Sequence, residues 1–184
     1  MFDDNADWTE FYSELEEELP TKMTDPCGRY VSIFLFIDAN HEGNVVTRHL
    51  RTGVIMFIQS TRIIWFIKKH NTFKAEMFGR EWVALRICKD LIVELRYKLQ
   101  MVSVISEGPV YFFCDNPGFM NNIIITESVL PKKHNVINHH SVSEAVAADI
   151  LQIGKEDGET NLADFFTKVI TGQKRWDLCY HIFL

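Results

Sequence analysis

The run of residues 30–38 (YVSIFLFID) places the strongest constraint on how this chain folds. Apolar side chains occupy both alternating sets of positions, as in a strand that is covered on both faces of a sheet. Two further runs, residues 53–59 (GVIMFIQ) and 62–68 (RIIWFIK), are separated by Ser60 and Thr61, a spacing typical of a tight hairpin. The sequence therefore predicts three consecutive strands at the start of the fold.

A long amphipathic helix is predicted next, because apolar residues recur at spacings of three, four and seven. These residues are Phe78, Leu85, Cys88, Ile92, Leu95 and Leu99. Residues 109–115 (PVYFFCD) predict a fourth buried strand, and the turn residues 116–118 (NPG) end it before a short helical piece.

The remaining segments complete the predicted order of elements. A helix is expected over residues 134–148, a short strand over 149–153 and a polar loop over 155–159. Thr160 is expected to cap a last helix that begins at Asn161. Together the segments predict an α/β domain with a mixed five-stranded sheet and helices on both faces.

Composition limits the class of protein. A chain of 184 residues with 47% apolar residues is long enough to bury a core as one domain. Its four cysteines form no CxxC pair, which favours reduced thiols and an intracellular location, cytoplasmic and/or nuclear. The apolar runs are far shorter than the ~20 residues that a membrane span requires, so no membrane association is expected.

The negative charge is concentrated at the N-terminus. Residues 1–25 carry nine acids and one lysine, a net charge of −8, whereas the other 159 residues carry a net charge of +2. The favoured interpretation of this stretch is a solvated, acid-rich helical segment. Residues 1–28 are therefore expected to form an acidic leader and residues 29–184 the folded domain, whose charge is compatible with a nucleic-acid ligand.

Four acids occupy positions that are unusual for a purely structural protein. Asp38 ends the first strand and Asp115 the fourth, and strand ends in layered α/β folds open onto the ligand-binding crevice. Glu81 lies four residues before Leu85, on the apolar stripe of the long helix. Asp164 falls in the first turn of the predicted last helix, where stabilisation by the helix dipole is an equally good explanation.

Each acid alone is a weak indicator, since an aspartate at a strand end also commonly starts a turn, as residues 115–118 (DNPG) do well. Together the four predict an oxygen-only cluster, which suits hard cations such as Mg²⁺ or Mn²⁺. Two such ions about 3.5–4 Å apart activate a water and stabilise the leaving oxygen in phosphodiester cleavage.

Several local motifs resemble the ribonuclease H domain of copia-type LTR retrotransposon polyproteins. They span roughly residues 31–169. The motifs are residues 37–44 (IDANHEGN), 45–53 (VVTRHLRTG), 64–72 (IWFIKKHNT), 78–86 (FGREWVALR), 113–116 (FCDN), 131–135 (PKKHN), 144–148 (EAVAA) and 155–168 (KEDGETNLADFFTK).

The resemblance implies a ribonuclease H-like fold and an endonuclease that hydrolyses the RNA strand of RNA–DNA hybrids with two Mg²⁺ or Mn²⁺ ions. The metal-binding and catalytic acids of the family fall on Asp38, Glu81, Asp115 and Asp164, the same four that the residue pattern indicates. The resemblance also implies a reverse transcriptase domain as a partner, with the acidic leader as the connection to it.

A nucleic-acid surface is predicted because cations flank Asp38 and Glu81 in the sequence, with tryptophans among them. The residues assigned to this surface are Arg48, Arg51, Lys68, Lys69 and Asn116. An ordinary solvated face explains these charges equally well.

Two other functions are compatible with the sequence. The chain is alternatively a degenerate or repurposed retroelement remnant that acts as a non-catalytic binding or interaction module, which the start at Met1 and Glu42 beside the predicted site favour and the four intact acids disfavour. A nuclease of the same fold that acts on DNA is the other alternative.

Overall fold

A computed structural model describes most of the chain. It covers residues 12, 15–17, 19–23, 25–40, 51–69, 77–115 and 133–183, without the side chains at 40, 77–82 and 133–135. The short helical piece predicted after residue 118 lies outside these ranges. Within them, no helix combines the length and the apolar character that crossing a membrane requires.

The described residues form five strands and four helices. The strands are β1 (Ile33–Asn40), β2 (Arg51–Ile58), β3 (Thr61–Lys69), β4 (Val110–Cys114) and β5 (Leu151–Lys155). The helices are α1 (Met77–Met101), α2 (Lys133–Ala147), α3 (Asp164–Thr167) and α4 (Gly172–Phe183).

The sheet is mixed, with the strand order β3-β2-β1-β4-β5. The first three strands are antiparallel neighbours, whereas β4 pairs in parallel with β1 and β5 in parallel with β4. This arrangement confirms the predicted five-stranded sheet, and it places the doubly apolar run of β1 at the centre, where both faces are covered.

Alternation along β1 divides the core into two layers. Odd-numbered side chains of this strand pack in the layer that also contains α1 and α2, whereas even-numbered ones face α4. The residues concerned are Ile33, Leu35 and Ile37 on the first side and Phe34 and Phe36 on the second. Helices therefore cover both faces of the sheet, as the sequence predicts.

The apolar stripe predicted for the long helix is confirmed where side chains are described. Leu85, Cys88 and Ile92 are fully buried, and Leu95 and Leu99 pack against the same core from partly buried positions. The spacing of three and four residues thus fixes which side of α1 faces the sheet.

Two aromatic pairs join β1 to β4 on the face that α4 covers. Their ring centroids are 5.4 and 4.9 Å apart, and the pairs are Phe34–Tyr111 and Phe36–Phe113. Because alternate residues of a strand share a face, the next members of this row are Asp38 on β1 and Asp115 directly after β4. A stacked aromatic ladder therefore leads to two adjacent carboxylates.

Several predicted boundaries are wrong by one to three residues, as three examples show. The hairpin turn is formed by Gln59 and Ser60, with Gln59 in the left-handed conformation at a φ of 56°. β5 begins at Leu151 because Asp149, at a φ of 52°, belongs to the preceding turn. β1 continues to Asn40 instead of ending at the first aspartate.

The last helix is two helices, which corrects the prediction of one helix from Asn161. Lys168 adopts an extended backbone with a φ of −110° and ends α3 after four residues. Thr160 does not cap it, because its hydroxyl donates to the Glu156 carboxylate while Ala163 occupies the N-cap position. The side chain of Asn161 is instead engaged with the end of β1, as described below.

The acidic N-terminal segment is not wholly solvated. Its described residues are not helical, and Glu17 accepts two hydrogen bonds of 2.6 and 2.7 Å from the buried guanidinium of Arg96 on α1. Arg96 also donates to the Ser106 hydroxyl and to the Gly108 carbonyl. The interpretation of this segment as a free solvated helix is therefore wrong in the described part.

Candidate metal centre

Three aspartates converge at one end of the sheet, on the face of α3 and α4. Asp38 is on the central strand, Asp115 directly follows β4, and Asp164 is the first residue of α3. One carboxylate oxygen of each lies within 4.8 Å of the others. Segments that are far apart in the sequence thus bring their acidic side chains to one point.

Burial and a hydroxyl fix the carboxylate of Asp38. The residue is 5% exposed, and the Thr167 hydroxyl donates to its Oδ2 atom. Burial is the main cause of a raised pKa for this carboxyl group, because it disfavours the charged form. The neighbouring carboxylates add to this increase, whereas the Thr167 hydrogen bond and the Lys168 charge oppose it.

Asn161 ties the loop before α3 to β1. Its side-chain NH₂ group donates a 3.0 Å hydrogen bond to the backbone carbonyl of Ile37. Its side-chain oxygen Oδ1 accepts a 3.0 Å hydrogen bond from the backbone N–H of Ala163. Asn161 and Asp164 are both fully buried. This bridge fixes the start of α3 next to Asp38, so the position of Asp164 depends on the tertiary fold as well as on its helix.

Two lysines neutralise part of the acidic cluster. The Lys168 ammonium lies 2.7 Å from Asp164, 3.4 Å from Asp115 and 3.5 Å from Asp38. Lys174 approaches Asp164 alone among the three, at 3.1 Å, and also donates to the Gly158 carbonyl at 2.6 Å. The five groups have a net charge of −1, because two ammonium groups face three carboxylates.

The environment keeps Lys168 charged. Burial lowers the pKa of its ammonium, but the hydrogen bond to Asp164 and the charges of the three carboxylates outweigh this effect. The net result is a raised pKa. The three aspartates therefore already hold one cation, the ammonium group of Lys168.

Glu81, the fourth predicted acid, lies in the second turn of α1. It precedes the buried Leu85 by one helical turn and the buried Cys88 by two. This spacing places position 81 in line with the residues of α1 that face the sheet. Its side chain is outside the described part of the structure. Its membership of the site therefore stays a prediction.

The predicted nucleic-acid residues fall on different faces. Arg51 on β2 lies opposite Asn40 on β1 and opposite Lys69 on β3. Since Asn40 follows Asp38 by two residues, Arg51 and Lys69 lie on the same face of the sheet as Asp38. Lys68 alternates to the opposite face. All three cations are exposed. Arg48 and Asn116 lie outside the described residues.

Sequence reasoning missed four residues that shape the centre. Thr167 and Lys168 follow Asp164 by three and four positions, so helical periodicity was a usable signal for both. Lys174 contacts Asp164 from a different helix, and Asn161 contacts the Ile37 carbonyl beside Asp38, so nothing in the local sequence indicates either role.

The donor set suits a hard divalent cation. All three groups are carboxylates, two of them are nearly or fully buried, and Asp115 keeps 23% of its side chain exposed. Carboxylate oxygens are preferred by Mg²⁺ and Mn²⁺. Buried carboxylates that share one space need positive charge, so the residues present fit a metal centre of this type.

Comparison with known proteins identifies the fold. The sequence matches no protein-family model. Among solved structures, the N-terminal RNase H domain of a Mycobacterium tuberculosis protein, solved as a fusion with maltose-binding protein, has a TM-score of 0.54 at 13% identity. The match covers 74% of this chain and 91% of that one.

A second similar structure is the protease–reverse transcriptase of prototype foamy virus, with a TM-score of 0.43 and 14% identity. This match covers 82% of this chain and 22% of that chain. The first of the two similarities shows that the chain has a ribonuclease H-like fold, which confirms the predicted fold class.

Proposed function

We propose that this chain is a ribonuclease H that hydrolyses the RNA strand of RNA–DNA hybrids. The observation that carries the proposal is the convergence of Asp38, Asp115 and Asp164 within 4.8 Å on a ribonuclease H-like fold. The sequence motifs further support an origin in a copia-type retrotransposon polyprotein. In that setting a reverse transcriptase domain would precede the chain, with residues 1–28 as the connection.

Two Mg²⁺ or Mn²⁺ ions are the proposed cofactors. Asp38, Asp115 and Asp164 would hold them, and Glu81 is the fourth proposed ligand. When bound, such ions supply an activated water and charge stabilisation for the leaving oxygen of the phosphodiester.

The protein's own residues contribute fixed negative charge in a defined geometry. Thr167 holds the Asp38 carboxylate and Asn161 holds the backbone beside it, so these acids themselves need little reorganisation when the site is used. Asp115 is the most exposed of the three aspartates and is therefore the carboxylate that a substrate approaching from solvent meets first.

Nucleic acid is proposed to lie across the same face. Arg51 and Lys69 are exposed there, two residues along the strands from Asp38, and supply positive charge for phosphates. Arg48 and Asn116 are proposed contacts from the sequence motifs alone. Lys68 is proposed as a contact to a more distant phosphate, since it projects from the other side of β3.

Cleavage of a labelled RNA–DNA hybrid tests this function, with duplex DNA and duplex RNA as parallel substrates. The proposal predicts that the RNA strand of the hybrid alone is cut, and only when Mg²⁺ or Mn²⁺ is present. Cleavage of duplex DNA would assign the chain to a DNA nuclease. Binding of the hybrid without cleavage under any metal condition would favour the non-catalytic module.

A further inference from the structure

The ammonium of Lys168 lies among the carboxylates of the candidate centre. Its distances to Asp164, Asp115 and Asp38 are 2.7, 3.4 and 3.5 Å, so a single nitrogen contacts one oxygen of each acid. The hydrocarbon stem comes from the residue that ends α3, four positions after Asp164. This side chain therefore touches every described acid of the cluster.

An ion bound by the same oxygens would lie about 2.1 Å from each. The ammonium cannot stay beside it, because two cations would then share one small and largely buried space. Binding of a divalent ion therefore requires Lys168 to leave.

The position of the lysine allows this movement. Its side chain is 33% exposed, so the ammonium already borders solvent and reaches water without crossing the core. The stem is flexible, and the backbone N–H of Lys168 can keep its hydrogen bond to the Asp164 carbonyl while the side chain alone rotates away.

We propose that Lys168 is a built-in counter-ion that neutralises the acids when no metal is bound and competes directly with the divalent ion. This inference rests on the proposed metal site and adds the device that controls its occupancy. It predicts two opposite effects of removing the ammonium: a less stable metal-free protein and a tighter metal site.

Lys174 provides a matched comparison within the same centre. It carries the same charge but contacts Asp164 alone among the three aspartates, at 3.1 Å, and it is also held by the Gly158 carbonyl. If general electrostatic attraction were the whole effect, loss of either lysine would strengthen metal binding alike. If contact with all three acids matters, loss of Lys168 has the larger effect.

The experiment titrates Mn²⁺, and then Mg²⁺, into the full-length metal-free protein in a calorimeter, with no nucleic acid present. We expect Lys168→Met to bind about tenfold more tightly than wild type or better, since a unit charge a few ångströms from the ion is removed. Lys174→Met should gain clearly less, and Lys168→Arg, which keeps the charge, should stay near wild type. The remote Lys98→Met on α1 should not change metal affinity.

Thermal unfolding without metal is the second readout. We expect Lys168→Met to melt below wild type and to show a larger rise in melting temperature on addition of Mn²⁺. Unchanged metal affinity in Lys168→Met, or a gain no greater than that of Lys174→Met, would overturn the inference while leaving the metal site in place. A complete lack of metal binding in wild type and all variants would overturn the proposed function, and the inference with it.

Discussion

Gly53 lies directly opposite Asp38 in the antiparallel pair of β1 and β2, and α3 packs against the space that a side chain there would need. A Cβ atom at position 53 would stand 2.9 Å from the Ala163 carbonyl oxygen, Phe166 Cβ and Thr167 Cγ2. The first two atoms cannot rotate away, and rotation of the Thr167 methyl would move the hydroxyl that donates to Asp38. The close approach of α3 to Asp38 therefore requires glycine at this position.

The Gly53→Ala variant should be less stable than wild type by about 1–3 kcal/mol, as for other overpacked sites. It should also lose affinity for Mn²⁺, because α3 must shift away from Asp38. Urea unfolding and calorimetric titration measure the two effects. The control is Gly158→Ala, whose Cβ would lie 3.8 Å from Asp115 Oδ2, an ordinary contact. Equal behaviour of the two variants would show that α3 tolerates the displacement.

The raised pKa of Asp38 predicts the sign of a pH effect on the metal-free protein. The folded state holds its proton to higher pH than the unfolded chain, whose ordinary value is 3.8. The contribution of Asp38 to the free energy of unfolding therefore falls as the pH rises from about 3.8 through the raised pKa. Wild type should lose stability over this window relative to Asp38→Asn, which keeps an acceptor for Thr167. The free energy of unfolding of both proteins, measured as a function of pH, checks this. An increase in the stability of wild type relative to Asp38→Asn over this pH window would contradict the raised pKa.

The contact between Glu17 and Arg96 predicts how the N-terminal segment affects stability. A chain of residues 29–184 should fold but be less stable by about 3 kcal/mol, because a buried guanidinium loses its carboxylate and keeps, among the described residues, its contacts to Ser106 and Gly108. Denaturant unfolding of the truncated and full-length chains measures the loss.

Two single substitutions separate this contact from other effects of truncation. Glu17→Gln in the full chain should reproduce most of the loss, whereas the neighbouring exposed Glu16→Gln should be nearly neutral. If both glutamine variants are equally stable, the ion pair does not hold the segment to the domain.

Glu81 is tested by comparing metal-dependent stabilisation. If it is a ligand, Glu81→Gln should be at least as stable as wild type without metal, because one acidic group is removed from a crowded cluster. The variant should lose most of the rise in melting temperature that Mg²⁺ gives wild type. Glu94→Gln, an exposed acid on the same helix, is the control. Equal Mg²⁺-dependent shifts in wild type and Glu81→Gln would remove Glu81 from the site.

The sheet and its site were largely predictable because strong local patterns determine them. The apolar run of β1 and the stripe of α1 specify burial directly, and Asp115 follows an unmistakable buried strand. Asp38 lies two residues before the end of β1 and Asp115 directly follows β4, so the parallel pairing of these two strands brings the two acids together.

The rest depends on contacts between distant segments. The start of α3 is tied to β1 by the hydrogen bond from Asn161 to Ile37, which no local propensity records, and α3 ends where Lys168 adopts an extended backbone. Lys174 and Arg96 lie on helices, yet each contacts a carboxylate outside its own helix: Asp164, ten residues before Lys174, and Glu17, 79 residues before Arg96. Local pattern thus predicts the acids and offers a signal for Lys168, whereas tertiary contacts bring Lys174 to Asp164 and Glu17 to Arg96.

Substitution of Asp115 by asparagine is the decisive test of the metal centre, because the residue is partly exposed and an amide keeps the same shape. Cleavage of an RNA–DNA hybrid and calorimetric binding of Mg²⁺ are measured on wild type and Asp115→Asn, with metal-free stability as the control for folding. We expect wild type to cut the RNA strand only with Mg²⁺, and the variant to lose cleavage and metal affinity together while its metal-free stability is unchanged or higher. Cleavage by the variant at the wild-type rate, or cleavage by wild type without divalent metal, would contradict the assignment of this cluster as the catalytic metal centre.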